Sequence, residues 1–292
     1  MKSLEIFEID NWETPIATEV QSKAVQALES GKVLFFPALP FQLNSDELKV
    51  FSPEKVDPRT KNVSYDMRKD RLAGTLCIGN EANILKEMIK RYATTTRKFL
   101  ESLIPHYQPR ILQAKTSFRP IEIEGRKSSY RKDDTRLHVD AFPSNPNRGK
   151  RILRVFTNIN PEGKPRIWRV GEPFGEVVKA MGPRVMHPIF GVSHLLKWLK
   201  ITKDYRSAYD HYMLQIHDTM KSDMDYQKNA TQEEIHFPAG SSWICYTDQV
   251  SHAAMSGQYV LEQTFNLDVS SLKDQSTAPL RVLEKYFCKV LV

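Results

Sequence analysis

The residues with the clearest chemical potential are His138 and Asp140, two apart in Arg136-Leu-His-Val-Asp-Ala-Phe142. On an extended strand, residues i and i+2 point to one face, so an imidazole and a carboxylate can grip one ion. The tripeptide alone says little: with 8 histidines in the chain, one His-X-Asp somewhere is about an even chance. His252, in Val250-Ser-His-Ala-Ala254, supplies a third donor from a distant strand that follows the turn-strand unit Phe237 to Asp248. Two imidazoles and one carboxylate on one face of a six-coordinate ion leave three positions open, which suits Fe(II) binding a chelating oxo-acid and O2. Zinc favours a closed or nearly closed tetrahedron and fits less well. His187, His194, His211, His217 and His236 have no partner at metal-ligand spacing and read as ordinary polar or lid residues.

Strands and helices must bring these donors together. Residues 15 to 30 space Ile16, Val20, Ala24 and Leu28 as an amphipathic helix that Gly31 stops, and Val33 to Phe36 follows as a buried strand. A second helix is expected over 81 to 104, until Pro105 ends it. From Ile111 the period shortens. Strands are expected at 111–118, 121–123, 137–142, 152–159, 234–237, 243–246 and 259–269, separated by Gly, Pro and Asn turns. Many short strands of this kind make an antiparallel sandwich or barrel. Residues 172 to 228 turn helical, including 192–199 and 205–220, and such an insertion between strands is a natural lid. The fold expected is mainly β with flanking helices (α+β), in one catalytic domain over 1–292. Within it, 1–110 is N-terminal support, 111–170 and 230–270 the β core, 171–229 the helical insertion or lid, and 271–292 a tail.

Composition narrows the setting. No apolar stretch approaches the roughly 20 residues that span a bilayer, and the acidic N-terminus lacks the apolar core of a signal peptide. Cys77, Cys245 and Cys288 have no C-x-x-C spacing, which argues against a disulfide framework or zinc knuckle and points to reduced cytosol. A formal charge of +7 favours an anionic partner: a phosphorylated lipid surface, a nucleic acid or an acidic sugar. Arg119, Arg126, Lys127, Arg131 and Arg136 lead directly to the metal candidates and could form a cationic mouth for such a substrate. The run Ser193 to Lys203 mixes Leu, Trp and Lys, as a helix resting on an anionic membrane does; a buried lid helix is the alternative.

Three stretches carry a family resemblance: Thr135-Arg-Leu-His-Val-Asp-Ala-Phe-Pro-Ser-Asn-Pro146, Arg151-Ile-Leu-Arg-Val-Phe-Thr-Asn-Ile-Asn-Pro161, and Ser251-His-Ala-Ala-Met255 with Leu261-Glu-Gln-Thr-Phe265. They resemble the Kdo (3-deoxy-D-manno-oct-2-ulosonic acid) hydroxylases, within the Fe(II)/2-oxoglutarate dioxygenases. The resemblance implies a double-stranded β-helix core, a metal triad of His138, Asp140 and His252, Fe(II) with O2, and 2-oxoglutarate as cosubstrate. It also implies hydroxylation of Kdo in the inner core of lipopolysaccharide at C3, on a Kdo-lipid A precursor. The setting would be cytoplasmic, at the inner face of the inner membrane, with no nucleic-acid partner. The superfamily's usual cation after the distal histidine is missing, since that strand reads Tyr259-Val-Leu-Glu-Gln-Thr-Phe-Asn-Leu-Asp268. A dianion still needs a fixed cation. Arg154, in phase with Phe156 and Asn158, is the replacement candidate, with Asn158 and Gln263 as neutral donors and Arg151, out of phase, as an exposed strand residue. Two rival readings are the same chemistry on a nucleic acid or protein, and a non-catalytic cupin-like binding module. Oligomeric state is not legible.

Overall fold

The computed structural model of the chain describes residues 3–126, 128–189 and 191–292. Its strands are β1 (Leu4–Ile6), β2 (Val33–Phe36), β3 (Val63–Asp66), β4 (Arg71–Ala73), β5 (Leu112–Arg119), β6 (Arg151–Asn158), β7 (Arg166–Gly171), β8 (Gln232–Phe237), β9 (Ser242–Tyr246), β10 (His252–Ser256) and β11 (Val260–Leu267). The helices are α1 (Thr18–Glu29), α2 (Ser45–Lys49), α3 (Gly79–Leu103), α4 (Phe174–Met181), α5 (Val192–Trp198), α6 (Ala208–Ser222), α7 (Met224–Asn229) and α8 (Pro279–Phe287). One sheet has eight strands in the order β1-β2-β9-β6-β11-β5-β3-β4, and the other has three, β10-β7-β8. These two facing sheets are the jelly roll expected from the many short strands.

Strand period sets which residues meet. On β6, Leu153 and Val155 pack under α1 and α3 with Ala24, Leu28, Phe99 and Leu100. The alternate residue Phe156 faces the small sheet, packing with Trp168, Phe237 and Trp243. Phe156 and Phe237 both stack on Trp243, at ring-centroid distances of 5.2 and 4.1 Å, so aromatic area holds the two sheets together. Each such buried ring is worth roughly 2 kcal/mol in area removed from water.

The helices expected over 15–30, 81–104, 192–199 and 205–220 appear close to those bounds as α1, α3, α5 and α6, whereas α2 and α8 went unforeseen, α8 lying in the stretch expected as a tail. Gly31, at φ +84, takes the left-handed turn that ends α1 and sends the chain into β2. The helix expected from Tyr205 begins at Ala208, because Ser207 and Asp210 form a capping box there.

Some expected strands are corrected. Residues 121–123 form no strand, because the Glu122 carboxylate accepts the Ile123 and Glu124 amides and turns the chain. Residues 137–142 are extended but join no ladder; only His138 pairs, in a bridge with His252. Strands β1, β3, β4 and β7 went unforeseen. Among the described residues no helix is long and apolar enough to cross a membrane.

Candidate functional site

The His138 bridge builds the site. The His138 N–H donates to the His252 carbonyl at 3.0 Å and the His252 N–H donates back at 2.9 Å, while the Asp140 N–H donates to Thr247 O at 2.8 Å. At the end of β7, Gly171 donates its N–H to Ser251 O at 2.8 Å. A Cβ on Gly171 would lie 2.7 Å from Ser251 Oγ and 3.2 Å from its Cβ, so a side chain here would have to displace Ser251 beside His252.

His138, Asp140 and His252 each offer one ligand atom, and these atoms lie within 4.8 Å of one another. Among the described residues this is the one His/Cys/Asp/Glu group able to hold a metal. Both imidazoles place Nδ1 at 2.8 Å from a backbone carbonyl, Arg136 O and Val250 O respectively. A carbonyl can only accept, so each ring carries its proton on Nδ1 and keeps Nε2 as a lone pair. Burial pushes both histidines below their ordinary range, and for His138 the neighbouring His252 and Lys221 add to the effect. Burial alone would push the Asp140 carboxyl up, but Arg154, His252 and His138 outweigh it and hold it well below the usual range. Two neutral imidazoles and one ionised carboxylate are the protonation states a divalent ion needs. Arg154 Nη2 lies 3.0 Å from Asp140 Oδ2, yet that oxygen has no hydrogen-bond partner among the described residues. The donor set fits an iron ion.

The triad opens into a cavity of about 180 Å³ whose lining includes Lys61, Arg119, Asp134, Arg154, Phe156, Arg166, Trp168, Trp243 and Glu262. Arg154 sits there, as its phase with Phe156 predicts, but between two acids: Asp140 and, at 3.1 Å, Glu262. Arg119 also lines the cavity and meets the other oxygen of Glu262 at 2.5 Å. Arg166 was missed with its strand. It is buried, its Nη1 donates to Gly257 O at 2.5 Å, and its Nε has no partner among the described residues. Burial, with Arg119 as a like charge nearby, pulls its guanidinium down to about 10. Two residues on along β7, Trp168 stacks on the His252 ring with centroids 5.0 Å apart.

Several other expected site residues lie elsewhere. Gln263 pairs across the sheet with Val155, on the helix-covered face, and its amide is taken by Gln113, Thr116 and Ala114. Asn158 has the right phase but ends the strand, where its amide binds Lys164 O and Phe237 O. Arg131 pairs with Asp218, Arg136 binds Asp133 and Lys221 O, and Arg126 is a partly exposed turn residue; none of the three lines the cavity. Lys127 lies outside the described residues. Arg151, expected on the surface, is fully buried against Asp248. His217, read as ordinary, stands edge-on to His138 with ring centroids 5.4 Å apart.

With this geometry in view, relatives are informative. A family model described as 3-deoxy-D-manno-oct-2-ulosonic acid (Kdo) hydroxylase matches residues 11–289. The crystal structure of the Kdo hydroxylase KdoO, a non-heme Fe(II) alphaketoglutarate dependent dioxygenase, in complex with alphaketoglutarate and Fe(III), is 50% identical with TM-score 0.96. The match covers 99% of this chain and 97% of that one. The apo structure of that enzyme and its cobalt(II) complex cover the same shares at 51% identity, with TM-scores of 0.96 and 0.97. No curated protein sequence matches. A match to the family model over nearly the whole length, joined to half-identical structures with the same fold, places the chain in the Kdo hydroxylase family.

Proposed function

We propose that this chain is an Fe(II)- and 2-oxoglutarate-dependent hydroxylase of the Kdo sugar, acting at C3 on a Kdo-lipid A precursor, with succinate and CO2 as co-products. The observation that carries the reading is the convergence of His138, Asp140 and His252 at one end of a cavity lined by three guanidiniums. In this reading the triad holds the metal. The chemistry supplied by bound iron is activation of O2, with 2-oxoglutarate as electron donor, to hydroxylate a C–H bond.

The chain's own residues do the rest. Asp140, ionised, and the two Nε2 lone pairs present the donors without rearrangement. Of the cations that line the cavity, Arg166 is the one without a carboxylate partner among the described residues, so it has charge to give the distal carboxylate of 2-oxoglutarate. Arg119 and Arg154, already shared with Glu262, flank that position. Trp168, Trp243 and Phe156 wall the cavity and exclude water.

Incubation of the protein with Fe(II), ascorbate, 2-oxoglutarate and Kdo-lipid A, followed by mass spectrometry, tests the substrate. The expected product is heavier by one oxygen, placed on the Kdo ring by fragmentation. Folded, metal-loaded protein that leaves Kdo-lipid A unchanged sinks the substrate assignment.

The same reading brings the enzyme to the inner face of the inner membrane. What supports this is the segment around α5, where Met186, Ile189, Leu199, Ile201 and Trp198, 77% exposed, stand among Lys197, Lys200 and Lys203. The variant W198A/K200E/K203E is expected to bind vesicles containing anionic phospholipid at least tenfold more weakly, from roughly 1 kcal/mol per lysine. Equal binding by the variant in a sedimentation assay removes this surface from consideration.

A further inference from the structure

The metal candidates are backed by a buried ion pair on the far side of the large sheet. Arg151 and Asp248 have no exposed side-chain surface and meet at 2.7 Å through Nε and Oδ2. The guanidinium also donates from Nη2 to Gln249 Oε1 at 2.7 Å and lies 3.8 Å over the Tyr246 ring. Asp248 Oδ1 accepts the Ile152 N–H at 3.2 Å. Gln249 in turn donates to the last carbonyl of α1, Glu29 O, at 3.2 Å. One guanidinium thus ties together β6, the turn from Tyr246 to Ser251 and, through Gln249, the end of α1.

That turn is where the triad is held. Thr247, next to Asp248, accepts the Asp140 N–H at its carbonyl. Val250, next to Gln249, accepts the His252 Nδ1 proton. The two groups that orient Asp140 and His252 therefore belong to residues immediately adjacent to the clamped pair. A fully buried ion pair is a poor device for stability, because desolvation opposes the attraction. Its geometric specificity is what it offers a metal site, whose ligands need orientation within a fraction of an ångström.

We infer that Arg151, Asp248 and Gln249 are positioning residues that set the metal affinity of the site by fixing the turn that orients Asp140 and His252. This deepens the proposed function and rests on its metal assignment. Co(II) titration followed by visible absorption tests it, alongside thermal melting of each protein without metal. R151M/D248L replaces the pair with apolar groups of similar bulk, and Q249L removes one strut. The expected result is Co(II) affinity about 10- to 100-fold weaker in R151M/D248L and several-fold weaker in Q249L, with altered cobalt absorption bands. A merely structural role lowers the melting temperature and leaves the affinity and spectrum of the folded protein unchanged. Wild-type affinity in either folded variant overturns the inference; if the double variant does not fold, Q249L decides it alone. Wild-type protein that binds no Co(II), or D140A that binds it normally, indicts the metal assignment instead.

Discussion

Asp140→Ala is expected to weaken Fe(II) or Co(II) binding by at least about 10³-fold and to abolish 2-oxoglutarate turnover. Asp140 is the one anion of the triad, held ionised by the Arg154 guanidinium against the opposing effect of burial. Two unit charges about 4 Å apart at an effective dielectric near 20 attract by about 4 kcal/mol, and about 1.4 kcal/mol is tenfold in affinity. A direct ligand is closer than that, which makes the figure a floor. The substitution leaves Arg154 its second partner, Glu262, so the cation is not stranded and the metal-free protein is expected to remain folded. Equilibrium titration with Co(II), read beside a metal-free melting curve, separates the two effects. An unchanged dissociation constant rejects the triad.

Arg166→Met is expected to raise the KM for 2-oxoglutarate by roughly 30-fold to several-thousand-fold, the range for truncating one partner of a buried, hydrogen-bonded charge pair at about 2–5 kcal/mol. Metal affinity should be nearly unchanged, because among the described residues the guanidinium pairs with neither Asp140 nor Glu262 and bonds only to Gly257 O. Arg154→Met should behave differently. It releases the Asp140 carboxylate and one oxygen of Glu262, so its main effect should fall on Co(II) affinity and kcat. The pair of variants separates two anchors that the sequence cannot rank. A large KM change in Arg154→Met with none in Arg166→Met would show that Arg154 alone holds the cosubstrate.

Much of this arrangement was legible because strand period and residue type carry it. The alternation of Leu153, Arg154, Val155 and Phe156 assigns faces correctly, and the structure puts Arg154 and Phe156 in the cavity. What was hidden depends on partners far along the chain. Arg166-Ile-Trp-Arg-Val reads as a polar run because two of its five side chains are cations; tertiary contacts with Gly257 and Thr135 accommodate both. Gln263 looked like a pocket donor because Glu262 and Gln263 are equally polar, and only the register opposite Val155 decides which of them faces in. Arg151 looked like surface because nothing local announces Asp248 beneath it. His217 approaches His138 only through the packing of α6, which no spacing rule encodes. Helices α1, α3, α5 and α6, by contrast, follow from local periodicity, and α3 ends one residue from its expected stop.

The reciprocal backbone bonds between His138 and His252 have a thermodynamic consequence for the proposed centre. Residues facing each other in such a bridge share one local frame, so the two imidazoles cannot drift apart without breaking both bonds. Asp140 is tied to the same frame through Thr247. Metal capture then has little chain disorder to remove, and the associated loss of conformational entropy is small. The metal-free protein is therefore expected to melt cooperatively with its site already formed, which a thermal scan in chelator checks.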